Sequence, residues 1–333
     1  MRDDRLDAAI AAALAGTTAS TLSPAADALR TAYRSGSLPE SPLLATPETA
    51  AAYAAYRMPA TVGAIRAALR QLTAAAPEWR PATHLDLGAG TGAAAWAVAR
   101  ELPGVQRLTM LEQSAAAIAS GRAILAGSDS AVLRAALWRQ WQLPRASAEL
   151  PRADLATIGY VLGELAEPQS RLLVEMVAAG AGTVLIVEPG TPAGYHRILA
   201  AREQLIGLGW TLRAPCPHQL ACPLAATRSD WCHFAERVDR SALHRRLKDA
   251  ERSFEDEKFA FVAASRGPAH DGRSRYARVI RRPLRRKGLV TLPLCTPAGT
   301  AEEARVSRRQ GPVYRQATDT GWGDTWPAGP AHA

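Results

Sequence analysis

The sequence predicts an α/β fold in which a largely parallel β-sheet carries helices on both faces. Short apolar segments alternate with helical segments between residues 83 and 187, which is the pattern of successive strand–helix–strand units. The first predicted strand also ends in a run of alternating glycines. Because such units are right-handed, the carboxyl ends of their strands meet at one edge of the sheet, where ligands bind.

Residues 1–78 are predicted to form a helical region that packs on this sheet. Alanine-rich helical segments occupy residues 7–15, 25–35, 46–57 and 59–75. The dipeptides Ser23-Pro24, Leu38-Pro39 and Ser41-Pro42 are expected to break the helices between these segments.

Residues 79–200 are predicted to form the core, and two regions follow it. The expected core strands cover residues 83–87, 105–111, 132–138, 155–160 and 183–187, and the helices cover 93–102, 114–126 and 169–178. Residues 201–270 are predicted to be a cysteine-containing insertion with a returning core strand at 259–264, preceded by a solvated acidic turn at 255–258. Residues 271–333 are predicted to be a basic extension with short β segments such as 289–295.

The composition indicates one large core with appendages and a polyanionic partner. The 333-residue chain is 47% hydrophobic and 21% charged, and its formal net charge of +9 comes mainly from arginine. Such a charge favours nucleic acid over an acidic small molecule. The excess of alanine and arginine over lysine would also follow from a GC-rich genome.

The sequence predicts a soluble, intracellular protein with no membrane partner. No apolar segment approaches the roughly 20 residues that a membrane-spanning helix needs. The first seven residues include acidic ones, unlike a secretory signal or a transit peptide. A cytoplasmic location is therefore expected, where thiols stay reduced. The oligomeric state is not specified by the sequence.

The glycine-rich loop predicts a nucleotide-type cofactor site. It contains Asp86, Gly88, Ala89, Gly90 and Gly92, and glycines let backbone amides approach a ligand because they carry no Cβ. The dinucleotide fingerprint requires one more glycine, at the position that alanine 93 occupies. The spacing therefore favours S-adenosylmethionine over NAD, and the alternative is a structural turn that binds nothing.

Each residue of this site has an expected role. Asp86 would orient the ammonium group of the cofactor, and Gly88 and Gly90 would make room for its methionine part. Glu112, at the end of the second predicted strand, would accept the ribose hydroxyls. Tyr160, at the end of the fourth predicted strand, completes the candidate cofactor site. Together with the strand pattern, these residues predict a Rossmann-like class I methyltransferase sheet.

The four cysteines of the chain are candidate metal ligands. They are Cys216, Cys222, Cys232 and Cys295. Four thiolates suit an iron–sulfur cluster, and four thiolates, or three with a nearby histidine, also suit a tetrahedral zinc ion. A third interpretation is four buried, reduced cysteines without metal. The spacing alone leaves these three interpretations open.

A basic segment predicts an RNA-binding surface. Its candidate residues are Arg275, Arg278, Arg281, Arg282, Arg285, Arg286 and Lys287. Guanidinium groups match phosphate geometry and stack on bases, which favours RNA. The alternative is a solvated charged loop.

Several segments together resemble a known family, the methyltransferase-like assembly factors of the small ribosomal subunit in bacteria and mitochondria. The resemblance covers the chain from about residue 50 to its end. The segments that carry it are Tyr-Val-Leu-Gly-Glu-Leu at 160–165, Val-Glu-Pro-Gly-Thr-Pro-Ala-Gly-Tyr at 187–195, Cys-Pro-His at 216–218, Asp-Trp-Cys-His-Phe at 230–234, Phe-Glu-Asp-Glu-Lys-Phe at 254–259 and Arg-Gln-Gly at 309–311 through Tyr314.

The resemblance implies cofactors and a partner. Mitochondrial members of the family are associated with a [4Fe-4S] cluster held by four cysteines, which implies Cys216, Cys222, Cys232 and Cys295 as its ligands. The cofactor loop of the family corresponds to residues 86–92. The implied partner is small-subunit ribosomal RNA or the pre-ribosomal small subunit, and a bacterial member would be cytoplasmic.

Methyl transfer is a separate question from cofactor binding. Amino-methylating enzymes commonly carry an Asn/Asp-Pro-Pro-aromatic motif after the fourth strand, where this chain has Ile-Gly-Tyr-Val at 158–161. The sequence therefore leaves three functions open: an RNA methyltransferase, a noncatalytic ribosome assembly factor, and a small-molecule methyltransferase.

Overall fold

The computed structural model describes residues 3–35, 38–39, 41–146, 148–227, 229–248, 251–267 and 276–327. Arg275, one of the predicted RNA-binding residues, lies outside these ranges.

In the described part of residues 1–82, four helices precede the sheet: α1 (Asp4–Ala13), α2 (Ala19–Ser35), α3 (Pro47–Tyr56) and α4 (Met58–Ala75). The expected break at Ser23-Pro24 is wrong, because Pro24 lies inside α2. Leu22, Ala26 and Leu29 form a buried stripe on that helix, and their packing outweighs the hydrogen bond that a proline removes.

The main sheet confirms the predicted Rossmann-like class I methyltransferase fold. Within the described residues, the strand order is β3-β2-β1-β4-β5-β8-β6, with β7 pairing β8. The strands β1 to β5 are parallel, and β8 runs antiparallel to its neighbours. Their bounds are β1 Thr83–Leu87, β2 Arg107–Glu112, β3 Leu137–Gln140, β4 Ala153–Gly159, β5 Ala181–Pro189, β6 Thr211–Ala214, β7 Phe234–Asp239 and β8 Phe254–Ser265.

Helices cover both faces of this sheet. One face packs on α4, α5 (Ala93–Glu101), α6 (Ala115–Ala126) and the short α7 (Ala131–Arg134). The other face packs on α8 (Glu167–Gly180) and α9 (Pro192–Gly207). Side chains along β5 alternate between the two cores, with Leu185 and Val187 on one face and Val184 and Ile186 on the other.

Two local predictions are wrong. The third strand was expected at 132–138, but residues 131–134 form α7 and β3 begins only at Leu137. The turn expected at 255–258 is instead part of β8, and Glu257 in it is buried. An ion pair with Arg57 satisfies this carboxylate, so a charged segment can continue the strand.

A second, smaller sheet follows. It has the order β10-β11-β9-β13, with β12 pairing β11, within the part of the chain that the structure describes. Its strands are β9 Ala277–Val279, β10 Leu284–Arg286, β11 Leu289–Cys295, β12 Ala301–Ser307 and β13 Thr325–Trp326, and α11 (Pro312–Asp319) packs against it. The helix α10 (Ala242–Lys248) precedes β8. No helix in the described ranges is long and apolar enough to cross a membrane.

Candidate cofactor site and thiol cavity

A cavity of about 600 Å³ opens at the carboxyl ends of the parallel strands, between the sheet and the N-terminal helices. This volume lies within the usual range for small-molecule sites. Six of the seven predicted cofactor residues line it: Asp86, Gly88, Ala89, Gly90, Glu112 and Tyr160. The fold therefore brings together residues from the ends of β1, β2 and β4.

The glycines of the loop meet a steric requirement. Gly88, Gly90 and Gly92 have φ angles of 67°, 54° and 91°, a region that other residues rarely adopt. A Cβ at Gly88 would lie 2.5 Å from Cγ2 of Val161. Gly92 does not line the cavity; it precedes α5, and a Cβ there would lie 2.8 Å from Cδ1 of Leu125. Its role is thus in packing the loop.

Asp86 is buried beneath the loop. The Thr157 hydroxyl donates to its Oδ1 at 2.7 Å, and His84 Nε2 lies 2.8 Å from the same hydroxyl. Burial raises the pKa of Asp86 to about 7; the Thr157 hydrogen bond opposes this increase, and the Glu112 carboxylate adds to it. Oδ2 of Asp86 has no hydrogen-bond partner among the described residues. A buried acceptor without a donor indicates a ligand or water at that position.

Glu112 holds the loop in place. Its Oε2 accepts a hydrogen bond from the Gly90 amide and its Oε1 accepts one from the Ser114 amide, both at 2.8 Å. Each carboxylate oxygen has a second lone pair, so these bonds are compatible with the expected ribose contact. That contact remains a prediction.

Tyr160 has a strained backbone at the cavity wall. It is the one non-glycine residue in the described ranges with a positive φ, 63°. Its hydroxyl donates to Oε1 of Glu257 at 3.0 Å, and the Arg57 guanidinium lies 5.2 Å from its ring centroid. Arg57 forms a two-pronged ion pair with Glu257, with N–O distances of 2.7 and 2.8 Å. The phenol is therefore engaged within the protein.

Sequence reasoning missed several residues that line the cavity. Arg57 comes from the junction of α3 and α4, Trp141 follows β3, and Glu164 follows β4. The sequence motif that predicted the cofactor site consists of the glycine-rich loop at 86–92 and the acidic residue at 112. It gives no information about residues outside this range. Only the position of Glu164 after a predicted strand end could have indicated it.

The four cysteines lie together around a second, small cavity. Cys216, Cys222, Cys232 and Cys295 all line it, although Cys295 comes from the second sheet. Burial raises the pKa of Cys216 and Cys232, and raises that of Cys295 to about 12. Oη of Tyr195 lies 3.3 Å from Sγ of Cys222, and Nε2 of His218 lies 3.4 Å from Sγ of Cys295.

Two buried arginines line the same cavity. Arg202 on α9 is 3% exposed and Arg278 on β9 is 7% exposed. Arg278 donates to the carbonyl oxygens of Pro215 and Gly323, at 3.0 and 2.7 Å. Neither arginine forms an ion pair with a carboxylate in the described part of the chain. Two buried cations beside four thiols favour an anionic occupant, such as a metal bound by thiolates.

Among the described residues, no group of three or more His, Cys, Asp or Glu side chains is placed to hold a metal ion. Four thiols on one cavity are nevertheless a donor set that suits either a zinc ion or an iron–sulfur cluster.

The predicted RNA-binding residues divide into two sets. Arg278 belongs to the thiol cavity; because its side chain is buried, it cannot contact RNA as expected. Arg281 is half-buried and pairs with Asp230, and Arg282 pairs with Asp256 at 2.9 Å. Arg285 donates to the carbonyl oxygens of Thr318 and Thr320.

Arg286 and Lys287 are exposed and lie beside a second basic pair. The Arg308 amide donates to the Gly288 carbonyl at 2.8 Å, so the turn after β10 meets the end of β12. Arg308 and Arg309 are exposed there as well. We call Arg286, Lys287, Arg308 and Arg309 the basic face.

Most of the chain is similar to one family of proteins. A family model described as "Mitochondrial small ribosomal subunit Rsm22" matches residues 47–327. The human "Ribosome assembly protein METTL17, mitochondrial" is 28% identical over 294 residues, which is 83% of this chain and 62% of that protein. The "Rsm22-cox11 tandem protein 2, mitochondrial" of Schizosaccharomyces pombe is 25% identical over 195 residues, which is 47% of this chain and 26% of that protein.

Among solved structures, precorrin-6y C5,15-methyltransferase from Geobacter metallireducens aligns with a TM-score of 0.39 and 16% identity. The alignment covers 60% of this chain and 87% of that one. The strand order of the main sheet, and not this alignment, defines the fold.

The expected cytoplasmic location is wrong by these comparisons. The expectation rested on a few acidic residues at the start of the sequence, whereas the family model and the named relatives are all described as mitochondrial. The family model covers far more than half of the chain, from the last two N-terminal helices to the second sheet. The chain belongs to the Rsm22 family of mitochondrial small ribosomal subunit proteins.

Proposed function

We propose that this protein is a methyltransferase-like assembly factor of the small ribosomal subunit that binds S-adenosylmethionine, holds a [4Fe-4S] cluster and contacts small-subunit ribosomal RNA. The observation that carries the proposal is that Cys295 joins the three cysteines of residues 216–232 on one cavity that also contains two buried arginines. The chain spans 62% of the length of its human relative, which is described as a ribosome assembly protein.

The proposed cofactor site is supported by its geometry. The loop glycines leave space above Asp86, whose Oδ2 has no donor in the described part of the protein. An ammonium group would provide that donor. When bound, S-adenosylmethionine supplies an electrophilic methyl group, and the residues of the cavity bind and orient it.

The proposed cluster is supported by the donor set. Cys216, Cys222, Cys232 and Cys295 would be its ligands, and the guanidinium groups of Arg202 and Arg278 would balance its negative charge. Zinc remains the alternative occupant, because four thiolates also suit a tetrahedral ion.

The proposed RNA contact is supported by the basic face. Arg286, Lys287, Arg308 and Arg309 are exposed side chains that two separate segments bring together. Four such charges on one surface attract a phosphate backbone.

A second candidate function is an assembly factor that binds the cofactor without transferring its methyl group. Tyr160 occupies the position after β4 where many amino-methylating enzymes have their acceptor motif, and its hydroxyl is bound to Glu257. Glu257 in turn is paired with Arg57. These three side chains satisfy one another, so none of them is placed to activate an acceptor.

The metal assignment is tested by anaerobic purification of the full chain. We expect iron and acid-labile sulfide at about four each per chain and broad absorption near 400 nm, as a [4Fe-4S] cluster requires. Cys295→Ser should lose most of the iron, whereas Arg122→Gln, at an exposed position on α6, should keep it. Stoichiometric zinc without iron in the purified protein would contradict the cluster.

A methyl-transfer assay with labelled cofactor distinguishes the two candidate functions. The protein is incubated with methyl-labelled S-adenosylmethionine and immature small subunits. Label in the RNA that disappears with Asp86→Ala indicates methyl transfer. Cofactor binding and subunit binding without label in the RNA indicate the noncatalytic factor.

A further inference from the structure

Two acidic side chains that line the candidate cofactor cavity, Glu164 and Glu188, are not part of the sequence motif that predicted the cofactor site. Glu164 ends the short 3₁₀ turn Leu162–Glu164 that follows β4, and it lines the same cavity as Asp86 and Glu112. No hydrogen bond to its side chain occurs among the described residues. A partly buried carboxyl group without a donor is costly for the folded protein unless water or a ligand compensates it.

The charges around Glu164 are predominantly negative. Glu112 faces it from the end of β2 and Glu188 from β5, and burial together with these two carboxylates raises the pKa of Glu164 to about 8. The neighbouring cation, Arg197 on α9, is already bound to Glu188, with 2.7 Å between Nε and Oε2. The phenols of Tyr33 on α2 and Tyr53 on α3 complete its surroundings.

The other cations of the cavity are also engaged. Arg57 is paired with Glu257, and Arg30 pairs with Asp27 and donates to the Leu247 carbonyl oxygen. Asp86, Glu112 and Glu164 therefore face the cavity without a paired guanidinium among the described residues. Such a cavity disfavours phosphate-bearing ligands and favours a cation.

We propose that Glu164 is a specificity-determining residue that makes this cavity prefer the sulfonium form of the cofactor, S-adenosylmethionine, over its demethylated product, S-adenosylhomocysteine. The inference rests on the proposed cofactor site. The two ligands share nearly every hydrogen-bonding group, and the sulfonium form carries one more positive charge. Contacts with the ribose, adenine and amino acid groups therefore contribute equally to the affinity for both ligands. A strong difference between the two affinities requires a charge in the cavity that interacts with the sulfonium group.

The preference for S-adenosylmethionine should be accompanied by the release of a proton on binding. A bound cation favours the ionised form of Glu164, so the carboxyl group releases its proton when S-adenosylmethionine binds below pH 8. Affinity for the sulfonium form should therefore increase from pH 6.5 to pH 8.5. S-adenosylhomocysteine lacks the sulfonium charge and should leave Glu164 protonated. Protons that the ammonium group releases from Asp86 are common to both ligands.

The test is isothermal titration calorimetry of the full chain with each ligand at pH 7, in two buffers that differ in ionisation enthalpy. The wild-type protein should bind S-adenosylmethionine about tenfold more tightly than S-adenosylhomocysteine. It should release more protons with S-adenosylmethionine than with S-adenosylhomocysteine. Glu164→Gln should bind both ligands within about twofold and release equal numbers of protons with each, whereas Glu164→Asp should retain part of the preference.

Glu175→Gln, at an exposed position on α8, is the matched control and should behave as the wild type. Unchanged discrimination in Glu164→Gln, or equal affinities in the wild type, would overturn the role of Glu164 and leave the cofactor site intact. If the wild type binds neither ligand, the proposed cofactor site fails and this inference fails with it.

Discussion

At the scale of single residues, the site depends on carboxylates that the fold keeps from water. Asp86 hydrogen-bonds to Thr157 through one oxygen and leaves the other without a donor in the described structure. Glu112 uses both oxygens to fix backbone amides. The carboxylate of Asp86 is therefore available to a ligand, whereas that of Glu112 fixes the geometry of the loop. The sequence alone does not distinguish these two roles.

Asp86 predicts a pH dependence of stability. Its folded pKa of about 7 lies above its ordinary value of 3.8, so the folded state binds more protons between these values and the free energy of unfolding falls as pH rises through this window. Asp86→Asn should remove this contribution to the pH dependence. As the pH is raised from 4 to 8, the free energy of unfolding of the variant should increase relative to that of the wild type by an amount on the order of 2–4 kcal/mol.

Denaturant unfolding of both proteins at these two pH values measures the difference. His84 titrates in both proteins, so its contribution largely cancels. A stability difference that does not change with pH would contradict the raised pKa of Asp86.

At the scale of elements, the N-terminal helices are joined to the core by largely buried ion pairs. Arg57 at the junction of α3 and α4 binds Glu257 on β8, and Arg66 on α4 binds Glu101 at the end of α5. The first pair also holds Tyr160. Through Glu257, strand β8 thereby connects the helical region to Tyr160 in the wall of the cofactor cavity.

Glu257→Ala should strongly destabilise the protein, because it leaves the buried Arg57 charge without its partner. We expect a loss of about 3–5 kcal/mol in the free energy of unfolding. Glu303→Ala is the matched control: its pair with Arg305 is exposed, so it should cost less than about 1 kcal/mol. Chemical denaturation measures both, and equal losses would show that the Arg57 pair is not a structural link.

The elements that the sequence predicted best are those with a strong local signal. The first strand has the bounds 83–87 in sequence and structure, and β11 likewise covers 289–295. The errors have tertiary causes. The strand character of residues 255–258 depends on Arg57, about 200 residues away, and the helical course through Pro24 depends on packing of α2.

The candidate site was predictable to a similar degree. Its loop residues follow from glycine spacing, and six of the predicted residues do line one cavity. Glu164, Arg57 and the buried Arg202 carry no such signal, because each acquires its role only from neighbours that are distant in the chain. For the same reason the burial of Arg278 could not be read from an arginine-rich segment.

At the scale of the whole molecule, the basic face predicts salt-dependent RNA binding. Replacing Arg286, Lys287, Arg308 and Arg309 with alanine should weaken binding to small-subunit ribosomal RNA. It should also reduce the slope of log K against log salt by about one per lost phosphate contact. Arg122→Ala, at an exposed position on α6, is the control for loss of charge alone.

Filter binding at several salt concentrations measures these slopes. Equal slopes in the wild type and the fourfold variant would exclude this face as the RNA contact. A comparable loss with Arg122→Ala would show that net charge, and not this particular surface, governs binding.

The position of Cys295 has a consequence for the order of events during synthesis. This residue is the last of β11 and lies far C-terminal to Cys216, Cys222 and Cys232, yet it lines the same cavity. Because a polypeptide emerges from its N-terminus, three thiols leave the ribosomal tunnel well before the fourth. The thiol cavity can therefore close only after β11 has been synthesised, and a chain truncated before β11 would expose an unfinished set of thiols.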